Sequence, residues 1–285
     1  MVVSSDALAL KVSGQSRQFI VTNVGGQDAV HLTATLTTAL PTGTHLTTDC
    51  AALAPGASCM LTITPGATPT AAPGELEPVP AGVSIAGTNT NLLALSVWVL
   101  DVGGVYQGGL VFDIDDETPM TGGVGGKVLA LSNVGERRFF GAPDYVSISP
   151  AATSTSDGAA NTAAIVAQFG PPPNAYLEYP AWACHSSEEA GFTDWYLPAI
   201  CELGYDANNV GTGCGTSQTP ALPNVRSNLS DRGYLNAGLV NVWSSTQLAP
   251  SATWQQLLGN WPAQHQTRNA LYVTEYVRCA RALTP

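Results

Sequence analysis

Carboxylates, thiols and imidazoles are the groups from which this 285-residue sequence could build a reactive or metal-binding centre. The densest of them is the run Asp113-Ile-Asp115-Asp116-Glu117. Carboxylates this close repel one another unless water, a basic partner or a cation neutralises them, and calcium takes such oxygen ligands. Asp113, Asp115, Asp116 and Glu117 are therefore a weak calcium candidate, without the glycine and distal glutamate of an EF-hand loop. A solvated turn, or one paired with Arg137 and Arg138, is the preferred expectation. Gly122-Gly-Val-Gly-Gly-Lys127 suggests a phosphate cradle, yet a P-loop needs glycine at 121 and a hydroxyl at 128, where Thr121 and Val128 stand. It reads as a flexible turn. His31, His45, His185 and His265 are scattered, and there is no Gly-x-Ser-x-Gly elbow. His185 follows Cys184 and lies near Glu188 and Glu189, but adjacency along a chain does not make a Cys–His dyad. Asn228-Leu-Ser230 is a glycosylation sequon by letters only. No catalytic centre, resident metal or cofactor is expected, and the chain is read as a non-enzyme.

The six cysteines contain no Cys-x-x-Cys and no zinc-like spacing with histidine. Cys50 and Cys59 flank Ala54-Pro55-Gly56-Ala57, a turn that can bring their Cα atoms to bridging distance. Disulfides in an oxidising compartment are preferred over six buried thiols. The N-terminus has no basic n-region and no apolar h-region, so no signal peptide is read there. The expectation is an exported protein whose signal or anchor segment has been removed.

Ten Lys+Arg stand against 21 Asp+Glu, a net charge of −11, and only 11% of residues are charged while 45% are hydrophobic. Low charge with ample apolar residues excludes a disordered chain. Ten basic residues in an acidic chain exclude a phosphate-binding surface, so no nucleic-acid partner is expected. The apolar stretch Leu92–Leu100 is far shorter than the roughly 20 residues needed to span a bilayer.

Two regions must position these groups. Residues 1–101 read as all-β, with strands at Leu8–Val12, Phe19–Thr22, Val30–Leu36, Cys59–Ile63, Val83–Ala86 and Leu92–Leu100 separated by Gly, Pro, Asn and Asp. Evenly spaced strands of this kind indicate a β-sandwich. Pro65–Pro80 holds five prolines and cannot be a central strand; it is a long connection inside the sandwich or a domain linker. From 102 to 285 aromatic residues concentrate and loops dominate. A helix is expected around Pro198–Leu203, and strands near Val240–Ser244, Trp254–Leu258 and Tyr272–Ala282.

Phe19-Ile-Val-Thr-Asn-Val-Gly, with Cys50-Ala-Ala-Leu-Ala-Pro-Gly-Ala-Ser-Cys59-Met-Leu-Thr-Ile-Thr-Pro, resembles bacterial surface Ig-like modules, which commonly bridge those two cysteines and serve as stalks. The second region carries Gly108-Gly-Leu-Val-Phe-Asp-Ile-Asp-Asp-Glu-Thr-Pro, Gly191-Phe-Thr-Asp-Trp-Tyr-Leu-Pro-Ala-Ile-Cys-Glu-Leu203, Val242-Trp-Ser-Ser-Thr246, Ala252-Thr-Trp254 and Tyr276-Val-Arg-Cys-Ala-Arg-Ala282. This ordered set resembles the domain family named after the C-terminal part of the Legionella collagen-like adhesin. That resemblance implies a C-type-lectin-like α+β domain, similar also to formylglycine-generating enzymes, behind an all-β Ig-like sandwich. By the same analogy Cys184 pairs with Cys279 and Cys201 with Cys214. Trp195, Trp243 and Trp254 are assigned to the frame.

Between the fixed motifs the chain is chemically mixed and nearly uncharged: from Trp243 to Thr274 the only formal charge is Arg268. Aromatic anchors among adaptable amides and hydroxyls are the composition of paratopes. This pattern resembles the displayed, variable lipoprotein targets of diversity-generating retroelements, whose C-terminal segment is diversified; the alternative is a loop of fixed sequence. The expected ligand-binding residues are Leu248, Ser251, Thr253, Leu257, Asn260, Trp261, His265, Thr267, Arg268, Asn269, Leu271 and Tyr272, with Trp261 the leading anchor. The expected partner is a protein or glycan, and a membrane only through a removed lipid anchor at the bacterial surface. A fixed adhesin head and an enzyme of the formylglycine-generating type are the competing readings.

Overall fold

In a computed structural model of the protein, residues 1–138, 151–173, 178–235, 240–249, 251–259, 266–270 and 273–284 are described. Strands in several sheets predominate over helices. The chain divides into two compact units, Met1–Tyr106 with Ile114–Gly126 and Leu283–Pro285, and Gln107–Asp113 with Lys127–Ala282. The boundary expected at 101/102 is thus not a single cut.

The first unit contains β1 (Val2–Val3), β2 (Ala7–Lys11), β3 (Arg17–Thr22), β4 (Thr33–Leu36), β5 (His45–Thr48), β6 (Ser58–Thr64), β7 (Ala81–Ala86), β8 (Leu93–Leu100) and β9 (Val105–Tyr106). They form the sheets β1-β3-β6-β5 and β2-β8-β7-β4. Strand alternation sends Cys59, Leu61 and Ile63 of β6 inward, leaving Met60 exposed between them. Phe19, Val21, Leu61 and Ile63 from one sheet share a core with Leu8, Leu10, Val83, Ile85, Leu95 and Val97 from the other. Two sheets facing a common apolar layer make a β-sandwich. β1 and β5 were not expected from the sequence. Pro65–Pro80 contains no strand; Thr70 N–H donates to the Val99 carbonyl at 2.8 Å and its hydroxyl accepts the Val99 N–H at 2.7 Å. It is a connection tied to the sandwich.

The acidic run resolves differently from the expectation. Arg17, 1% exposed, pairs with Asp116 at 2.9 Å, not Arg137 or Arg138. Its Nη1 also donates to the carbonyls of Pro119, Gly122 and Gly123 at 2.9–3.1 Å. A buried guanidinium requires such partners, and Gly122 and Gly123 supply two of them. Asp116 Oδ2 accepts the Gln15 N–H at 2.7 Å, and Asp115 Oδ1 accepts the Glu117 N–H at 2.9 Å.

The strands numbered onward are β10 (Gly109–Asp115), β11 (Gly125–Ala130), β12 (Gly135–Arg137), β13 (Val240–Ala249), β14 (Ala252–Leu258), β15 (Gln266–Ala270), β16 (Glu275–Val277) and β17 (Ala280–Ala282). In the second unit, β12-β16-β13-β14-β15 form one sheet, and β11 pairs with β17 through Lys127↔Ala282 to Leu129↔Ala280. The long strand expected over Tyr272–Ala282 is split into β16 and β17. The α-helices among the described residues are α1 (Gly158–Phe169), α2 (Pro180–His185) and α3 (Ile200–Leu203). α1 stands where loop was expected: Asp157 Oδ1 caps it by accepting the Ala160 N–H at 2.9 Å, its body is alanine-rich, and Gly170 at φ 64° ends it. Disulfides join Cys50–Cys59, Cys184–Cys279 and Cys201–Cys214.

Candidate functional site

The ordered motifs build a frame of buried polar contacts. Glu202, 1% exposed, accepts Lys127 Nζ at 2.6 Å and the Tyr196 hydroxyl at 3.1 Å on Oε1. Its Oε2 accepts the N–H groups of Ala199 at 2.8 Å and Gly158 at 3.2 Å. One carboxylate therefore ties the starts of α3 and α1 to β11. Burial, and then the adjacent Glu202 charge, holds the Tyr196 phenol well above its usual range. The hydroxyls of Trp-Ser-Ser-Thr brace neighbouring elements. Ser244 donates to the Trp254 carbonyl at 2.7 Å, Ser245 accepts Asn161 Nδ2 at 3.2 Å, and Thr246 accepts the Ile200 N–H at 3.0 Å. In the closing motif, Arg281 grips both Asp194 oxygens at 2.7 and 3.0 Å and lies over the Phe192 ring. Arg278 donates to the carbonyls of Ala130 and Leu131, each at 2.9 Å, and burial lowers its guanidinium to about 10.

On this frame β14 and β15 pair in the register Trp254↔Arg268, Gln255↔Thr267 and Gln256↔Gln266. Alternation puts Trp254, Gln266 and Arg268 on one side, and Gln255, Thr267 and Asn269 on the other. A groove of about 460 Å³ is lined by Leu248, Trp254, Gln266, Thr267 and Arg268 from the sheet, and by Asn208 and Val210 from a loop. Trp254 packs on Ile200 and the Cys201–Cys214 bridge. Gln266 is fully buried; its Nε2 donates to the carbonyls of Gly204 at 3.0 Å and Ile200 at 3.3 Å, and its Oε1 accepts the Thr212 hydroxyl. Asn208 completes the edge of β15, donating to the Gln266 carbonyl at 2.9 Å and accepting its N–H at 3.2 Å. The loop is held by Asp206, whose carboxylate accepts the N–H groups of Val210, Gly211 and Thr212.

Across the sheet runs a row of amides. Gln255 donates to Thr267 at 2.7 Å, and Asn269 donates to Gln255 at 3.2 Å and to Glu275 at 3.0 Å. Asn241 reaches the same Glu275 oxygen at 3.4 Å. Burial raises the Glu275 carboxyl, an effect opposed by these two amide donors and reinforced by Glu136.

Of the expected ligand-binding residues, Leu248 and Arg268 line the groove, and Thr267 borders it while its hydroxyl accepts Gln255 on the other side of the sheet. Ser251 is exposed in the turn between β13 and β14, Leu257 is half-buried, and Asn269 belongs to the amide row. Thr253 is corrected: it is 0% exposed, and its hydroxyl donates to the Thr246 carbonyl at 2.7 Å with that of Ser244 at 3.3 Å. Its hydroxyl and its burial are committed to the fold. Asn260, Trp261, His265, Leu271 and Tyr272 lie outside the described residues. Trp243 is buried in the frame, its Nε1 donating to the Arg137 carbonyl at 2.9 Å, whereas Trp254 serves both frame and groove. Asn208, Val210 and Gln266 were missed; the Cys201–Cys214 loop was the available clue, because it holds that loop near α3. Among the described residues, the one triad of potential metal ligands is Asp49 with Cys50 and Cys59, whose sulfurs are joined in a disulfide.

No protein-family model matches the chain, and no curated protein matches it. Among solved structures the chain is similar to the secreted serine protease VesC from Vibrio cholerae, with 13% identity and a TM-score of 0.26. The match covers 50% of this chain and 36% of that one, so the chain spans about a third of its length. A likeness at that score defines neither fold nor activity. The fold and cysteines do define a class: a β-rich protein of two units braced by three disulfides. Disulfides are consistent with an exported or extracellular protein. Among the described residues no helix is long and apolar enough to cross a membrane.

Proposed function

We propose that this is a ligand-binding protein displayed on a bacterial surface, with an Ig-like stalk module and a C-type-lectin-like binding domain diversified by a retroelement. The groove carries this reading. Leu248 and Arg268, within residues 247–272, line a cleft, while the side chains that brace the frame include Glu202, Ser244, Thr246 and Arg281 outside that segment. Substitution at the exposed positions Leu248 and Arg268 changes the binding surface without touching those braces. The facing sheets and the Cys50–Cys59 bridge support the Ig-like assignment. The β11–β17 pairing and the Cys184–Cys279 bridge, which bring early and late parts of the second unit together, support the lectin-like one. All six cysteines are in disulfides, which removes the thiol that a formylglycine-generating mechanism requires and favours binding over catalysis.

The test is deep sequencing of this locus in one lineage, with its flanking DNA. Substitutions confined to 247–272, beside a near-copy of the codons for 241–281 differing only at adenines and a reverse transcriptase, are the expected result. Substitutions spread equally over the sandwich, with no such copy, would refute diversification and leave a fixed adhesin head.

A further inference from the structure

Resting on that reading, we infer that the groove takes an acidic, apolar peptide segment of a protein ligand: an Asp or Glu carboxylate on Arg268, flanked by an aliphatic side chain against Leu248 and Val210. Arg268 is exposed at the groove wall, and among the described residues no carboxylate or carbonyl partners its guanidinium. The chain around it brings no competing acid, because Arg268 is the only formal charge between Trp243 and Thr274. Asp206, in the lining loop, turns its carboxylate onto three backbone N–H groups of that loop. Glu275 is engaged by Asn269 and Asn241 in the amide row. A guanidinium fork with no acceptor among the described residues is matched by a carboxylate, which it can bind bidentately.

The rest of the groove selects the flanking chemistry. Leu248 and Val210 are 40% and 41% exposed, high for aliphatic side chains on a wall facing the same cleft. Trp254 is only 9% exposed, so little of its ring is open for a sugar to stack on. Asn208 and Gln266 are already paired with each other's strand and loop, which leaves few free amide groups for a row of sugar hydroxyls. One cation with no partner among the described residues, beside two exposed aliphatic side chains, suits an acidic, apolar peptide better than a neutral glycan.

A random dodecapeptide display library panned on the intact disulfide-bonded protein, with a neutral and sialylated glycan array in parallel, tests this. The expected result is enrichment of peptides with Asp or Glu next to Leu, Ile or Val. The best synthetic peptide should bind Arg268→Gln roughly ten- to a hundredfold more weakly, the range for loss of a charge-assisted contact. Arg268→Glu should turn selection toward basic peptides, and affinity for the wild type should fall as salt rises. Unchanged near-ultraviolet circular dichroism of both variants keeps folding out of the comparison. Binders without acidic bias, or unaffected by Arg268→Glu, overturn the acidic-peptide assignment while leaving a binding protein. Glycan binders alone overturn it in favour of an adhesin. No binder of either kind overturns both the assignment and the binding reading on which it rests.

Discussion

Replacing Glu202 separates what its two oxygens do. An amide has one acceptor oxygen where the carboxylate has two. In Glu202→Gln the favourable orientation leaves that oxygen on the N–H groups of Gly158 and Ala199, which have no other way to be satisfied. The amide nitrogen then faces the Tyr196 hydroxyl, which can rotate to accept, and Lys127, whose side chain is 27% exposed and can turn to water. The loss is one ion pair with a half-open partner, about 1–2 kcal/mol. Glu202→Ala removes both acceptors. Two buried N–H groups are then orphaned at about 1–3 kcal/mol each, so the total with the lost ion pair is about 3–8 kcal/mol. Lys127→Met should cost more than Glu202→Gln, because it strands a buried carboxylate. The double variant Lys127→Met/Glu202→Gln should cost less than the sum of the singles. Urea unfolding followed by circular dichroism and tryptophan fluorescence measures all four. The reasoning is wrong if Glu202→Ala costs no more than Glu202→Gln, or if the double variant is additive. Because α3 supplies the Ile200 carbonyl that Gln266 bonds, Glu202→Ala should also weaken any ligand bound in the groove.

Three further outcomes follow from other contacts. Replacing Cys184 and Cys279 by serine opens a separation of 95 residues against 13 for Cys201 and Cys214; chain entropy predicts losses of about 4–5 and about 3 kcal/mol, read by the same urea melts. The reverse order would sink the entropic account. Thr253→Val should destabilise by about 1–2 kcal/mol through the lost buried hydroxyl bond and leave ligand affinity unchanged, as titration calorimetry can check. Glu275→Gln should raise the melting temperature at pH 7. The folded carboxyl is raised above its usual value of 4.5, so the stability its proton confers is complete below that value and is lost as pH rises through the higher folded one. The variant should lack that decline, and because Asn269 and Asn241 both donate to a single oxygen, an amide keeps both bonds. A wild-type profile flat across this range argues against a raised carboxyl.

What the sequence determined is what local chemistry encodes. Met60-Leu-Thr-Ile-Thr alternates with period two, and β6 forms there because only one parity can meet a core. Cys50 and Cys59 bracket a Pro-Gly turn and are bridged across it. The helix near Pro198 is present as α3, and α1 is equally encoded locally, by Asp157, the alanine run and Gly170. Side-chain roles set by distant partners were not legible. Asp116 finds Arg17, 99 residues away, instead of the nearby Arg137 and Arg138. Thr253, two residues from the exposed Ser251, is buried because the strand register and the β13 carbonyls decide which way each position faces. The groove itself arises because the Asn208 loop, held by Asp206 and the Cys201–Cys214 bridge, docks on the edge of β15, 58 residues later in the chain. A linear pattern specifies which residues alternate; only the packed sheet specifies which of its two sides meets solvent, and which side chain from elsewhere completes it.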